Sequence, residues 1–215
     1  MTGGTGRVGA AIAERLRADG HSVLAAGRAD GDLSRAAAAA ALVGRAADEL
    51  GGLDLVVHAA GEGFVPKRVD DVTEADWDAA FGATAKGAFF VAQAAAPHLR
   101  TSRGVVVMIE DVAGYRPWPS FAAHCAAKAA QAMLTRVLAR AFAPDVRVCG
   151  IAPGPVAVQP DQIERRAAET ALGRVGRPED VAEAVLFLAG ADFATGATLA
   201  IDGGSLLQTG RASLA

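Results

Sequence analysis

Short apolar runs alternate with long amphipathic stretches, and that alternation restricts the fold more than any other feature of the chain. His21–Gly27 (HSVLAAG), Leu53–Gly61 (LDLVVHAAG), Gly104–Ile109 (GVVVMI), Val146–Ile151 (VRVCGI) and Ala197–Asp202 (ATLAID) are bounded by glycine or charge. They lack the in/out alternation of a half-buried strand, as parallel strands covered by helices on both faces do. Helical periodicity fills the intervals over Val8–Asp19, Leu33–Gly51, Glu74–Arg100, Phe121–Phe142 and Glu179–Gly190. Pro178-Glu179-Asp180 opens the last of these with proline and two acids at the positive helix end. One domain over residues 1–215 is predicted: α/β, a doubly wound parallel sheet flanked by helices. Alanine, with 52 residues, suits helices that pack closely on such a sheet, and the six alanines at 36–41 read as helix surface.

Charge and composition exclude several classes. A net charge of −3 offers no basic stripe to neutralise phosphates, so no nucleic-acid partner is expected. Cys125 and Cys149 are too few for a disulfide framework or a zinc site, and no metal is expected. No apolar run approaches the roughly 20 residues of a membrane span. No charged n-region precedes an apolar h-region either, so the expected location is cytoplasmic, without membrane association.

The run Thr2–Gly9 (TGGTGRVG) is the first sign of chemistry. Gly3, Gly6 and Gly9 allow a tight turn and close approach of backbone N–H groups to a pyrophosphate at a helix N-terminus. Such a turn carries the chain out of a strand, yet this run begins at the second residue. The first strand is therefore expected to be missing from the N-terminus, through a truncated or mis-assigned start, with Met1 standing in for an apolar strand residue. Arg28 directly follows His21–Gly27, the second strand once the missing first is counted, where an arginine would meet a ribose 2′-phosphate, and Arg7 sits inside the turn. Two cations and no acid there favour NADP(H) over NAD(H).

These residues, with others, resemble the short-chain dehydrogenase/reductase family along nearly the whole chain. The likeness rests on Thr2-Gly3, Asp32-Leu33, VVHAAG ending at Gly61 and Asp76-Trp77-Asp78. It continues in VVVMIEDVAG at 105–114, Lys128 in HCAAK, IAPGPV at 151–156, GRVGRPEDVAEAVLFLAG at 173–190 and TGATLAIDGG at 195–204. The resemblance implies a Rossmann-type fold and a nicotinamide cofactor. Thr2, Gly3, Gly6, Arg7, Val8, Arg28, Asp32, Leu33, Ala59, Ala60, Gly61, Lys128, Pro153, Gly154 and Val156 would hold that cofactor. Three details look like the pteridine reductase branch: Arg7 in the turn, Asp111 at the catalytic serine's place, and Phe64-Val65-Pro66 after a strand. Phe64 and Tyr115 are then the substrate-facing candidates, with a buried loop anchor as the other reading of Phe64.

The departures concern proton delivery. In the family a tyrosine four residues before the lysine gives the proton, and here that position is His124. The spacing still puts His124 and Lys128 on one helical face. The family's relay asparagine aligns with Thr84, and the Asn-Asn-Ala-Gly run has become His58-Ala59-Ala60-Gly61, with His58 read as a structural histidine. The expected function is an NADP(H)-dependent oxidoreductase passing hydride between nicotinamide and a carbonyl, alcohol or pterin-like small molecule. Asp111, His124 and Lys128 are the catalytic candidates. The alternative is a non-catalytic nucleotide-binding or scaffolding protein. A homodimer or homotetramer through the helices at 74–100 and 121–142 is expected.

Overall fold

The computed structural model describes residues 1–63 and 65–207. Met1 and Thr2 lie between two neighbouring segments as the stub of a parallel strand. Thr2 N donates to Val57 O (2.9 Å) and Ala59 N to Thr2 O (3.1 Å), while on the other side Ala26 N donates to Met1 O and Gly4 N to Ala26 O, both at 2.9 Å. From there the chain turns into α1 (Arg7–Ala18) and, after an extended passage, α2 (Ala36–Leu50). Four strands follow: β1 (Leu55–His58), β2 (Val105–Ile109), β3 (Arg147–Pro153) and β4 (Thr198–Ile201). All pairs are parallel and the order is β1-β2-β3-β4, with Val56 beside Val106, Val107 beside Cys149 and Ile151 beside Leu199.

The remaining helices are α3 (Glu74–Phe81), α4 (Gly87–Ser102), α5 (Ala122–Phe142), α6 (Ile163–Ala167) and α7 (Pro178–Gly190). Alternate strand residues feed two cores. Val56, Val106, Met108 and Val148 pack with Leu42, Val91, Leu99 and Leu138 from α2, α4 and α5. Val57, Val107, Cys149 and Ile151 pack with Ile12 and Leu16 of α1 and with Val181 and Val185 of α7. Helices on both faces make the sheet doubly wound, and the uninterrupted apolar strand sequences follow from that. No helix among the described residues is long and apolar enough to cross a membrane.

Two expectations are corrected. The strand expected over His21–Gly27 does not form; the segment meets the sheet only through the Thr2–Ala26 bridge. A strand exists by pairing, and this segment pairs at Ala26 alone, with Met1 and Gly4 on either side of Thr2. Behind that stub a cavity of about 340 Å³ runs between Ser22–Leu24 and Asp54–Val57, floored by Leu42, Val43 and Val91. Because backbone groups alternate sides along a strand, Leu55 N–H and Val57 N–H point toward it.

The second correction concerns the helix expected over Glu74–Arg100, which breaks at a π-turn spanning Gly82–Lys86. There Ala83 O meets fully buried His58 Nε2 at 3.1 Å. A carbonyl can only accept, so Nε2 carries the proton and Nδ1 accepts from Thr2 Oγ1 at 3.0 Å. Thr73 starts α3 with a reciprocal cap, accepting from Asp76 N while Asp76 Oδ2 accepts from Thr73 N.

Candidate active site

Thr2, Ala59, Asp111, Pro153 and Asp202 all lie at the carboxyl end of the sheet, the edge where open α/β sheets bind ligands. Gly3 turns the chain at φ +67°, and a Cβ there would lie 2.6 Å from Ala60 N and collide with Ala59 O. A Cβ on Gly9 would collide with Gly3 O. Both collisions are with backbone, so only glycine closes this turn. Gly6 is the N-cap of α1 and offers no side chain to its first N–H groups. Those donors remain for a ligand.

The turn forms one wall of a groove of about 470 Å³. Of the expected cofactor residues, Thr2, Gly3, Gly6, Arg28, Asp32, Leu33, Ala59, Ala60 and Gly61 line it. A turn that excludes a Cβ at Gly3 and Gly9, beside helix N–H groups that no side chain caps, fits a dinucleotide pyrophosphate. Arg7 and Val8 sit on the first turn of α1, outside the groove lining. Pro153 ends β3, and Gly154 and Val156 follow on the same edge of the sheet. At Gly154 a side chain would press on Asp202 Cα, 2.7 Å from its Cβ.

Arg28, 79% exposed in its side chain, reaches Glu62 at 3.3 Å. Asp32 is turned back on its own chain, accepting from Ser34 N at 2.9 Å. Its hydrogen bonds to Ser34 hold the carboxyl below the usual range. Glu62 lines both the groove and a second cavity of about 410 Å³, bounded by Val65, Lys67, Asp76, Phe121 and His124 among others. Lys67 Nζ lies 2.6 Å from each oxygen of Asp76 across that cavity. Phe64 lies outside the described residues.

The three catalytic candidates come together. Asp111 leaves β2, anchors itself through Oδ1 to Ala113 N (2.8 Å), and places Oδ2 3.3 Å from His124 Nε2. One turn along α5, buried Lys128 donates from Nζ to Ile109 O at 2.9 Å and Gln131 Oε1 at 3.0 Å. Burial lowers the Lys128 pKa, while the carboxylates of Asp111 and Glu110 pull it upward. His58, on the other side of the lysine, is held down to about 4, chiefly by burial and further by the charge of Lys128.

Tyr115 does not present its hydroxyl to the cavity beside His124. It donates to Glu110 Oε2 at 2.6 Å, and its phenol is pushed up to about 12, first by burial and then by that hydrogen bond. Sequence reasoning passed over Glu110, whose one signal is an acid directly after the β-branched run of β2. Glu62 was passed over as well, because a lone acid in a glycine-rich loop reads as solvated.

The profile of the family described as Enoyl-(Acyl carrier protein) reductase matches residues 6–205. The chain is 36% identical to 4-formylbenzenesulfonate dehydrogenase of Comamonas testosteroni over 240 residues, covering 95% of each. It is 37% identical over 190 residues to 2-(S)-hydroxypropyl-CoM dehydrogenase 3 of Xanthobacter autotrophicus, covering 80% of this chain and 74% of that one. The crystal structure of a glucose/ribitol dehydrogenase from Brucella melitensis superposes with a TM-score of 0.86 at 28% identity, over 95% of this chain and 94% of that one.

Proposed function

This chain belongs to the short-chain dehydrogenase/reductase family, and from that premise we propose that it is an NADP(H)-dependent oxidoreductase acting on a carbonyl or alcohol, with a His–Asp pair in place of the tyrosine. The nicotinamide cofactor, when bound, supplies or takes up the hydride. The protein's own residues do the rest.

The glycine floor and the first N–H groups of α1 would bind the pyrophosphate. Lys128, fixed on Ile109 O, would hold the nicotinamide ribose. Arg28, the cation at the adenosine end of the groove, supports a phosphorylated ribose; a 2′-phosphate would draw it from Glu62, because a dianion outcompetes one carboxylate for a guanidinium. Asp32 is engaged with Ser34 and does not compete for Arg28.

The observation that carries the reading is the contact of His124 Nε2 with Asp111 Oδ2 at 3.3 Å. In reduction, the proton shared by that pair goes to the oxygen that becomes the alcohol, and the pair regains one from solvent. In oxidation the same pair accepts it. This contact also weighs against the alternative of a non-catalytic scaffold, which would have no use for a carboxylate aimed at that ring.

Whether the pocket takes a pterin depends on residues around position 64, so the test includes that class. Fluorescence titration should give tighter binding of NADPH than of NADH; a preference for NADH would sink the Arg28 argument. Turnover is then measured on panels of aldehydes, quinones and dihydropterins with wild type and His124→Tyr. Turnover by wild type that falls in His124→Ala is the expected result. Activity found only in His124→Tyr would mean that the natural protein lacks a working acid.

A further inference from the structure

Beside the catalytic cluster lies a buried carboxylate for which the chemistry above has no use. Glu110 is 2% exposed and stands between Ile109, whose carbonyl holds Lys128, and Asp111. Its Oε1 accepts from Thr135 Oγ1 at 2.6 Å and from Thr198 Oγ1 at 3.4 Å, and its Oε2 accepts from Tyr115 at 2.6 Å. Space for it exists because residue 150 is glycine: a Cβ there would collide with Glu110 Oε1 and lie 2.8 Å from Thr198 Oγ1. Three hydroxyl donors converge on the carboxylate, and its charge acts on Lys128.

Lys128, Gln131 and Thr135 share one face of α5, at spacings of three and four. The lysine donates to Gln131 Oε1, and Thr135 donates to Glu110. Gln131 Nε2, on a fully buried residue, has no hydrogen-bond partner among the described residues. The glutamine side chain is therefore held by its oxygen alone, on the ammonium. A buried ammonium without a counter-charge neutralises itself by losing its proton.

We propose that Glu110 is a positioning residue: a fixed, buried negative charge that works with Asp111 to keep Lys128 protonated and seated on Ile109 O, with Tyr115 closing the carboxylate off from solvent. This inference rests on the reading of Lys128 as the cofactor-facing lysine. Other groups act on the same ammonium. Asp111, from the end of β2, is the stronger of the two negative charges, and His58 on β1 and His124 on α5 face the same region. Arg136 on α5 acts on Tyr115 instead.

The chain has three lysines, Lys67, Lys86 and Lys128, so carbon-13 labelling of lysine Cε resolves the Lys128 titration by NMR without any activity. Glu110→Gln, which keeps the shape and loses the charge, should lower the Lys128 midpoint by about one pH unit, the scale of a nearby charge. Glu110→Asp should restore most of it. If Gln is not tolerated, Glu110→Leu combined with Thr135→Val removes the charge and its buried donor together, which spares an unpaired hydroxyl.

An unchanged Lys128 midpoint in a folded charge-removing variant overturns the proposal, whatever happens to thermal stability. In turnover assays the alkaline limb should move down in parallel. A wild-type protein without turnover would count against the proposed function, and the NMR titration would still decide the role of Glu110.

Discussion

His124 Nε2 and Asp111 Oδ2 stand 3.3 Å apart across thirteen residues of chain, on the face of α5 that also carries Lys128. The carboxylate is fixed by Ala113 N and the ring by the helix, so neither must search for the other. His124→Ala and Asp111→Asn should each lower turnover by about 10²–10⁴-fold, the range for a positioned acid–base group. NADPH affinity should stay within about twofold, because neither residue lines the groove. In a double mutant the losses should fall well short of their product, since the residues act as a unit. Steady-state kinetics on purified variants checks all three outcomes.

The glycine turn makes two substitutions of identical size unequal. Gly3→Ala places a Cβ against Ala59 O at φ +67°, whereas at Gly6 the nearest atom would be 3.5 Å away, ordinary contact. Gly3→Ala should cost about 1–3 kcal/mol of stability and abolish dinucleotide binding. Gly6→Ala should remain folded with an unfolding midpoint close to wild type. Thermal denaturation followed by calorimetric titration with NADPH separates the two.

Buried His58 makes the fold sensitive to acid. Its folded pKa of about 4 lies below the ordinary 6.5, so the unfolded chain binds the proton more readily. Stability should be complete above pH 6.5 and fall as the pH drops from 6.5 toward 4. The loss amounts to about 3 kcal/mol at one pH unit per 1.36 kcal/mol. Urea midpoints across that window should show the slope. His58→Asn, which cannot titrate, should flatten it at the cost of lower stability at neutral pH.

What could be read from the sequence, and what could not, divides along the range of the interactions involved. Gly3, Gly6 and Gly9, the apolar runs of β1 to β3, and the four-residue spacing of His124 and Lys128 are local facts, and structure follows them. The break at Gly82–Lys86 has a long-range cause: GATAK holds no proline to end a helix, and the turn opens where the Ala83 carbonyl meets His58 of β1. Glu110 depends on Gly150, Thr135 and Thr198, which lie tens of residues away and carry no joint pattern. Tyr115 could be placed in the loop after β2, but not the direction of its hydroxyl. The segment 21–27 has strand composition but pairs through a single bridge, Ala26 to Thr2.

Association is expected through the long helices. Met133 and Val137 of α5, four residues apart, are each about half exposed, and Trp77 on α3 is 43% exposed. Apolar side chains so exposed on adjoining helices suit a second copy of the chain. Light scattering should give a dimer or tetramer, and Met133→Asp with Val137→Asp should yield a folded protein of monomer mass. A wild-type monomer at micromolar concentration would exclude these helices as an interface.

The hollow behind Met1–Thr2 should give the sheet an uneven rhythm of breathing. Val56 and His58 offer their amides to β2, whereas Leu55 and Val57 offer theirs to empty space. Deuterium should therefore enter β1 at every second residue, early at 55 and 57 and late at 56 and 58, while Val106 and Val148 in the sheet's middle exchange last. The glycine turn from Gly3 follows directly on this soft margin, so whatever stiffens the margin should steady the turn as well.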